Sequence, residues 1–338
     1  MPNPHNELFA SKPLEFFKQN SVVPPSDGGQ TQVDLKTLWQ DTTGVVKYTS
    51  TDKVTEATIP DGQRVVWVNF ERMGKDRNEA EALTFKVSLT PKADWVPIHF
   101  LPWRSMKVVH TTIPEIDEKD LGHAGDTNPH LFFTAAINGC SVFVTGSPRN
   151  PAVYHAGIDG TLSLNAVDFW RDRLDEIFAS SGMGSPSYKE VNKSDYVKDD
   201  QFLDPRTTET AKRYEDWLRS HHSGEFGIQE VKPWGCVFGI RYGRLWSFYL
   251  QENATISYLR IVRKKDVVKK DVHGKTVLFE KDTGANIETM NFKKKFGLLT
   301  RKHTLYASVH RTSRPMIVRE FYPSGNAKIT VSDEYRAV

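Results

Sequence analysis

"HLFFTAAINGCSVFVTGSPRNPAVYHAG", residues 130–157, decides how the chain is to be read. It contains three short runs of β-formers, "HLFFTAA", "SVFVTG" and "AVYHAG". They are split by Asn138-Gly139 and by "SPRNP", both strong turn signals. Three successive strands are the expectation, and the flanks agree. "RVVWVNFE" (64–71) and "WVPIHFL" (95–101) are rich in β-formers, while "LTFKVSLT" (83–90) alternates Leu83, Phe85, Val87 and Leu89 with polar neighbours, the period of a half-buried strand. Downstream, "WGCVFGIRYGRLWSFYLQ" (234–251) reads as a hairpin turning at Tyr242-Gly243-Arg244. Further strand-like stretches lie at 255–263, 276–280, 304–310 and 315–322.

Between these strand-rich halves, two segments switch to the helical period. Val167, Trp170, Leu174, Ile177 and Phe178 share one face of the first; Ala211, Tyr214, Trp217 and Leu218 share one face of the second, which has a start signal at Pro205 and Thr207. Strands on both sides of central helices predict an α+β fold: a β-sandwich or mixed sheet with helices and long loops packed outside. The first 32 residues read as a separate element. They form a short amphipathic arm carrying Leu8, Phe9, Leu14, Phe16 and Phe17, followed by the linker "VVPPSDGGQTQ" (22–32). Residues 33–338 are then expected to form one domain, since 338 residues suffice for a full core.

The formal charge of +3, with acidic and basic residues interleaved, is ordinary for a soluble protein. The basic stretches "RIVRKKDVVKK" (260–270) and "NFKKKF" (291–296) read as solvated strand faces without a nucleic-acid motif. The N-terminus lacks a basic segment followed by an apolar run, so Sec export is not expected, and no apolar run reaches the ~20 residues of a membrane span. The two cysteines, Cys140 and Cys236, form no CxxC pair and suggest neither a disulfide framework nor a zinc site. The 11 histidines include His221-His222 and His123 near Asp126 and His130, none at metal-ligand spacing. No metal or organic cofactor is expected.

Thiol hydrolysis requires a thiolate, a base, a group that orients the base, and donors facing the developing oxyanion. Residues 134–155 contain candidates for all four. Cys140 follows the Asn138-Gly139 turn, where backbone N–H groups from Asn138, Gly139 and Ser141 can face a substrate oxygen. His155 lies on the returning strand, and Thr134 on the preceding strand can orient an imidazole through its hydroxyl or carbonyl. By spacing alone, a Cys and a His on neighbouring strands are equally readable as packing residues.

The pattern Thr134-x5-Cys140, with Gly139 directly before the cysteine and His155 at a strand end, resembles the core of the bacterial glutamine deamidases. These include the catalytic domain of cytotoxic necrotizing factor, Burkholderia lethal factor and the chemoreceptor deamidase CheD. The resemblance covers about residues 131–157, within a catalytic core of about 131–160. The Ile137-Asn138 pair stands where members often carry Leu-Ser. It implies a β-sandwich wrapped in helices and loops, Cys140 as nucleophile, His155 as base and Thr134 as third member. The implied activity is conversion of a glutamine to glutamate on a folded host protein, with transglutamination as a related outcome. A Rho-type small GTPase or a translation factor is the implied kind of target. The implied setting is that of a toxin or effector, delivered by a specialised injection route into the reducing host cytoplasm, where a working thiol stays reduced.

Two other readings start from the same residues. One is a cysteine peptidase using Cys140 with a distant histidine such as His303. The other is a non-enzymatic interaction protein in which the basic, aromatic strands after residue 234 form the contact face and Cys140 is core. Cys236 follows a glycine but reads as a strand-buried thiol. The aromatics Trp234, Phe238, Trp246, Phe248 and Tyr249 read as core.

Overall fold

The computed structural model describes residues 2–24, 45–50, 53–58, 65–73, 82–88, 90–101, 103, 107–121, 128–157, 170–172, 174–175, 188–196, 216, 219–220, 226–296, 299–323 and 328–330. Two helices open the chain, α1 (Pro4–Ser11) and α2 (Pro13–Gln19). The strands before the midpoint are β1 (Val45–Ser50), β2 (Lys53–Thr58), β3 (Val65–Arg72), β4 (Leu83–Ser88), β5 (Val96–Leu101), β6 (Lys107–Thr112), β7 (Leu131–Thr134), β8 (Ser141–Ser147) and β9 (Asn150–Ala156). After them come β10 (Tyr188–Val191), β11 (Phe226–Tyr242), β12 (Leu245–Val262), β13 (Val267–Val272), β14 (Lys275–Glu280), β15 (Ile287–Phe296), β16 (Leu299–Tyr322) and β17 (Lys328–Thr330). The protein is mostly β-sheet with a few helices, in keeping with the expected α+β class.

Two large sheets form. The six-stranded sheet runs β1-β2-β6-β9-β8-β10; the nine-stranded one runs β15-β16-β12-β11-β7-β5-β3-β4, with β17 also on β16. A separate hairpin pairs β13 with β14. Alternation along the strands dictates what each face meets. Val142, Val144 and Val153 of the smaller sheet share one core with Phe132, Val237 and Phe248 of the larger sheet, so the two pack face to face as a sandwich. The next residue along each strand points outward. Phe133 and Phe238 lie in a second core with Phe9, Phe16 and Phe17 of the N-terminal helices, and Phe143 and Tyr154 pack with Trp170 and Leu174 of a helical segment on the opposite side. The order of layers is therefore helix, sheet, sheet, helix. Of the second expected helix, Asp216, Arg219 and Ser220 are helical, while Ala211, Tyr214, Trp217 and Leu218 lie outside the described residues, as does most of the linker.

The N-terminal arm is part of the core. Pro4 and Pro13 occupy first-turn positions where a missing N–H costs nothing, and Asn3 caps α1 by accepting from His5 N–H at 3.0 Å. Asn6 fixes the helix to the sheet, accepting from Phe70 N–H at 2.9 Å and donating to the Asp94 carbonyl at 2.7 Å. After α2, Val22 bridges Leu83. Gln251 of β12 is fully buried, and its amide donates to the carbonyls of Phe17 at 2.6 Å and Asn20 at 2.7 Å, groups that the end of α2 leaves without helical partners. Gln251→Leu is expected to lower unfolding free energy by ~1–3 kcal/mol for each carbonyl left bare, measured by urea denaturation.

Two proline positions explain where the strands outrun expectation. β11 extends back through Pro233, and the stretches at 304–310 and 315–322 are parts of the single strand β16, which contains Pro315. Pro315 sits at a register shift against β12, where a missing N–H is tolerated. The basic stretch at 260–270 is solvated as expected, with Lys264, Lys265, Lys269 and Lys270 exposed. The named aromatics from Trp234 to Tyr249 are all buried.

Candidate active site

The chain leaves the nine-stranded sheet at the end of β7 and enters the six-stranded sheet at β8. Cys140 is the last residue of that crossing. Ile137 anchors it: its N–H donates to the Gly235 carbonyl at 2.9 Å, and Gly235 N–H donates back at 3.0 Å. A Cβ on residue 235 would lie 2.9 Å from Ile137 Cγ1, so only glycine lets the crossing lie this close to β11. Gly139 has a φ of +101°, a conformation that residues with a side chain rarely adopt, which turns the chain toward β8.

Register then places the imidazole. Val142 pairs with His155 and Ser141 with Ala156 across β8 and β9. His155 is two residues from Val153, so it faces the sandwich interior, where Cys140 also packs with Val142 and Val144. Thiol and imidazole thus share a face as diagonal neighbours, with ordinary diagonal separations of ~7–8 Å between backbones. Cys140 is 4% exposed and His155 is fully buried. Neither ring nitrogen of His155 has a hydrogen-bond partner among the described residues, so the two groups are not hydrogen bonded to each other. Burial holds the imidazole well below its ordinary value, down to about 3, so it is neutral at physiological pH. A buried, neutral imidazole without a partner among the described residues is costly for packing alone; in this closed arrangement it is also a weak base, held well below the near-neutral range that suits proton transfer.

The structure brings in a residue that the sequence did not announce. Tyr196 ends the short helix Lys193–Tyr196 after β10, and its buried hydroxyl accepts from Gly139 N–H at 2.8 Å and donates to the Cys140 carbonyl at 2.9 Å. Beside it, Asp195 accepts from Asn192 N–H at 2.7 Å and pairs with Arg319 of β16 at 2.9 Å. Arg319 Nε also lies 3.2 Å from Glu252, off line for a hydrogen bond, so that contact is coulombic. No spacing or periodicity links Tyr196 to Cys140, because only the pairing of β10 with β8 brings them together.

The other candidate residues are placed differently. Thr134 is buried at the end of β7 in the opposite sheet, and its hydroxyl donates to the Ala135 carbonyl at 2.8 Å, so it does not orient His155. The reason is topological: the strand before the cysteine belongs to the other layer. Asn138 is exposed at the turn, and the Gly139 amide is taken by Tyr196. Ser141 pairs with Ala156, which packs on the outer face of the smaller sheet, so its side chain points away from the thiol; its buried hydroxyl has no partner among the described residues. His303 lies in β16 roughly 40 Å along the strand from Ile317, which sits opposite Glu252 near the crossing, so it is remote from Cys140. Cys236 is fully buried on the helix-covered face, where burial pushes its thiol well up. Neither cysteine is in a disulfide.

No protein-family model matches this chain, and no curated protein matches it significantly. The site is therefore read from its own geometry. Among the described residues there is no group of three or more His, Cys, Asp or Glu side chains placed to hold a metal. No helix there is long and apolar enough to cross a membrane. His123, Asp126 and His221-His222 lie outside the described residues.

Proposed function

We propose that the chain is a thiol-dependent protein glutamine deamidase of toxin or effector type, with a fold of the corresponding deamidase kind. The observation that supports this reading is the placement of Cys140, directly after a glycine turn, on one face with a fully buried His155 that has no hydrogen-bond partner among the described residues. Glutamine suits such a site, because its long side chain can reach a thiol set below the surface while its backbone stays outside. His155 takes the thiol proton, and Cys140 Sγ attacks the carboxamide carbon. The oxyanion rests on turn N–H groups other than those of Ile137 and Gly139, which Gly235 and Tyr196 engage, and ammonia leaves with a proton from the imidazolium. Water deprotonated by His155 then cleaves the thioester to give glutamate; an amine in its place gives transglutamination. Thr134 contributes to the crossing rather than to the proton path.

The substrate is a folded host protein, with a Rho-type small GTPase and a translation factor as the first two to test, and the setting is host cytoplasm reached by an injection route. Incubation with a purified Rho-type GTPase and with a translation initiation helicase is expected to raise the mass of one glutamine-containing peptide by about one dalton, through a thioester that Cys140→Ser cannot form. Unchanged conversion by folded Cys140→Ser protein overturns the proposal. Chain cleavage in place of the mass shift assigns the thiol to peptidolysis.

A further inference from the structure

We infer that Tyr196 is the positioning residue of the thiol site: its hydroxyl, bridging Gly139 N–H and the Cys140 carbonyl, fixes the backbone that carries Cys140 on the face it shares with His155. The inference rests on the reading of Cys140 and His155 as a working pair. The two bonds grip the peptide groups on either side of the Gly139–Cys140 link. One oxygen therefore restrains the dihedral angles of both residues, including the +101° φ of Gly139. Ile137 fixes the crossing earlier, on β11.

The tyrosine is itself held. Its ring packs in the sandwich core with Val142 and Val191, and Asp195 ties the short helix to Arg319 on the facing sheet. Burial, followed by repulsion from the Cys140 side chain, pushes the Tyr196 hydroxyl well above its ordinary value, so it stays protonated and remains a donor. A displacement of the nucleophile by ~1 Å can cost ~100-fold in rate, so a clamp on its backbone acts on chemistry more than on binding.

The test reads the thiol directly. Cys140 in folded protein is alkylated with iodoacetamide across pH, with Cys236 as an internal buried control and His155→Leu as the uncoupled reference. Tyr196→Phe keeps the ring and removes the bridge. It is expected to raise the pH midpoint of Cys140 alkylation toward that of His155→Leu by about one unit, a tenfold loss of thiolate at neutral pH. Val191→Ala loosens the same core without touching the turn and is expected to leave the midpoint in place. Should Tyr196→Phe fail to fold, Asp195→Asn is read instead, with a smaller shift of the same sign expected.

An unchanged midpoint in the variant that folds, an equal shift in Val191→Ala, or a wild-type Cys140 that resists alkylation as Cys236 does overturns the inference. A shifted midpoint in a protein that converts no glutamine keeps the clamp and removes the deamidase reading. An unchanged midpoint beside Cys140-dependent conversion does the reverse.

Discussion

His155→Leu is expected to reduce glutamine conversion ~10²–10⁴-fold, the usual contribution of a positioned acid–base group, while making the protein more stable. The second half follows from burial. Both ring nitrogens sit in the sandwich core without partners among the described residues, and replacing such a group with an apolar side chain of similar size removes a desolvation penalty of ~1–3 kcal/mol. Stability surrendered at a working site is a common trade. A variant that loses stability by more than about 1 kcal/mol in urea unfolding, or one that keeps full activity, contradicts the assignment.

The same residue sets a pH dependence. Burial holds His155 down to about 3 and His110 down to about 4; burial, with a smaller push from the Arg241 charge, holds His99 down to about 3, against an ordinary value of 6.5. Above pH 6.5 neither the folded nor the unfolded chain protonates these groups. Below it the unfolded chain takes up protons that the folded chain refuses, so stability falls as pH drops from 6.5 toward 4, by ~1.4 kcal/mol per unit for each group. Acid unfolding followed by circular dichroism is expected to begin in that window, and His155→Leu is expected to move its midpoint to lower pH.

Phe17→Ala is the second large effect. The Phe17 ring is fully buried, stacked on Phe238 at 3.5 Å between centroids, edge-on to Phe16 at 5.4 Å and tilted against Phe133 at 5.1 Å. Removing a buried phenylalanine ring costs ~3–5 kcal/mol, a large share of the ~5–15 kcal/mol that separates folded from unfolded domains. Urea unfolding of the full chain measures it. A loss below about 1 kcal/mol contradicts the placement of α2 as an integral layer.

The residues that made the sheets legible are those whose information is local. Gly243 at the tip of β11 and β12, and Gly139 and the "SPRNP" turn around β8, mark reversals that their own backbone preferences dictate. The apolar spacing of Phe9, Phe16 and Phe17 identified an amphipathic arm. It carried no signal of what the arm covers, because any apolar sheet face satisfies the same stripe. Nor does a run of three strands say whether the chain turns back within one sheet or crosses to another. That ambiguity placed Thr134 beside His155 in the sequence reading and in a different layer in the molecule. The stretches at 304–310 and 315–322 are one continuous strand, because Pro315 sits at a register shift where its missing donor costs little. Tyr196 was invisible for the opposite reason: its role depends on one hydroxyl meeting two backbone groups across a strand pairing that no local pattern encodes.

β8 and β9 are joined by the short Ser147–Asn150 turn, so the sulfur at the foot of one strand and the imidazole on the other travel as a single module. Sliding or tilting of the two sheets moves both atoms together. The rims contributed by other strands are therefore at liberty to acquire new shapes while the thiol and the imidazole keep their spacing.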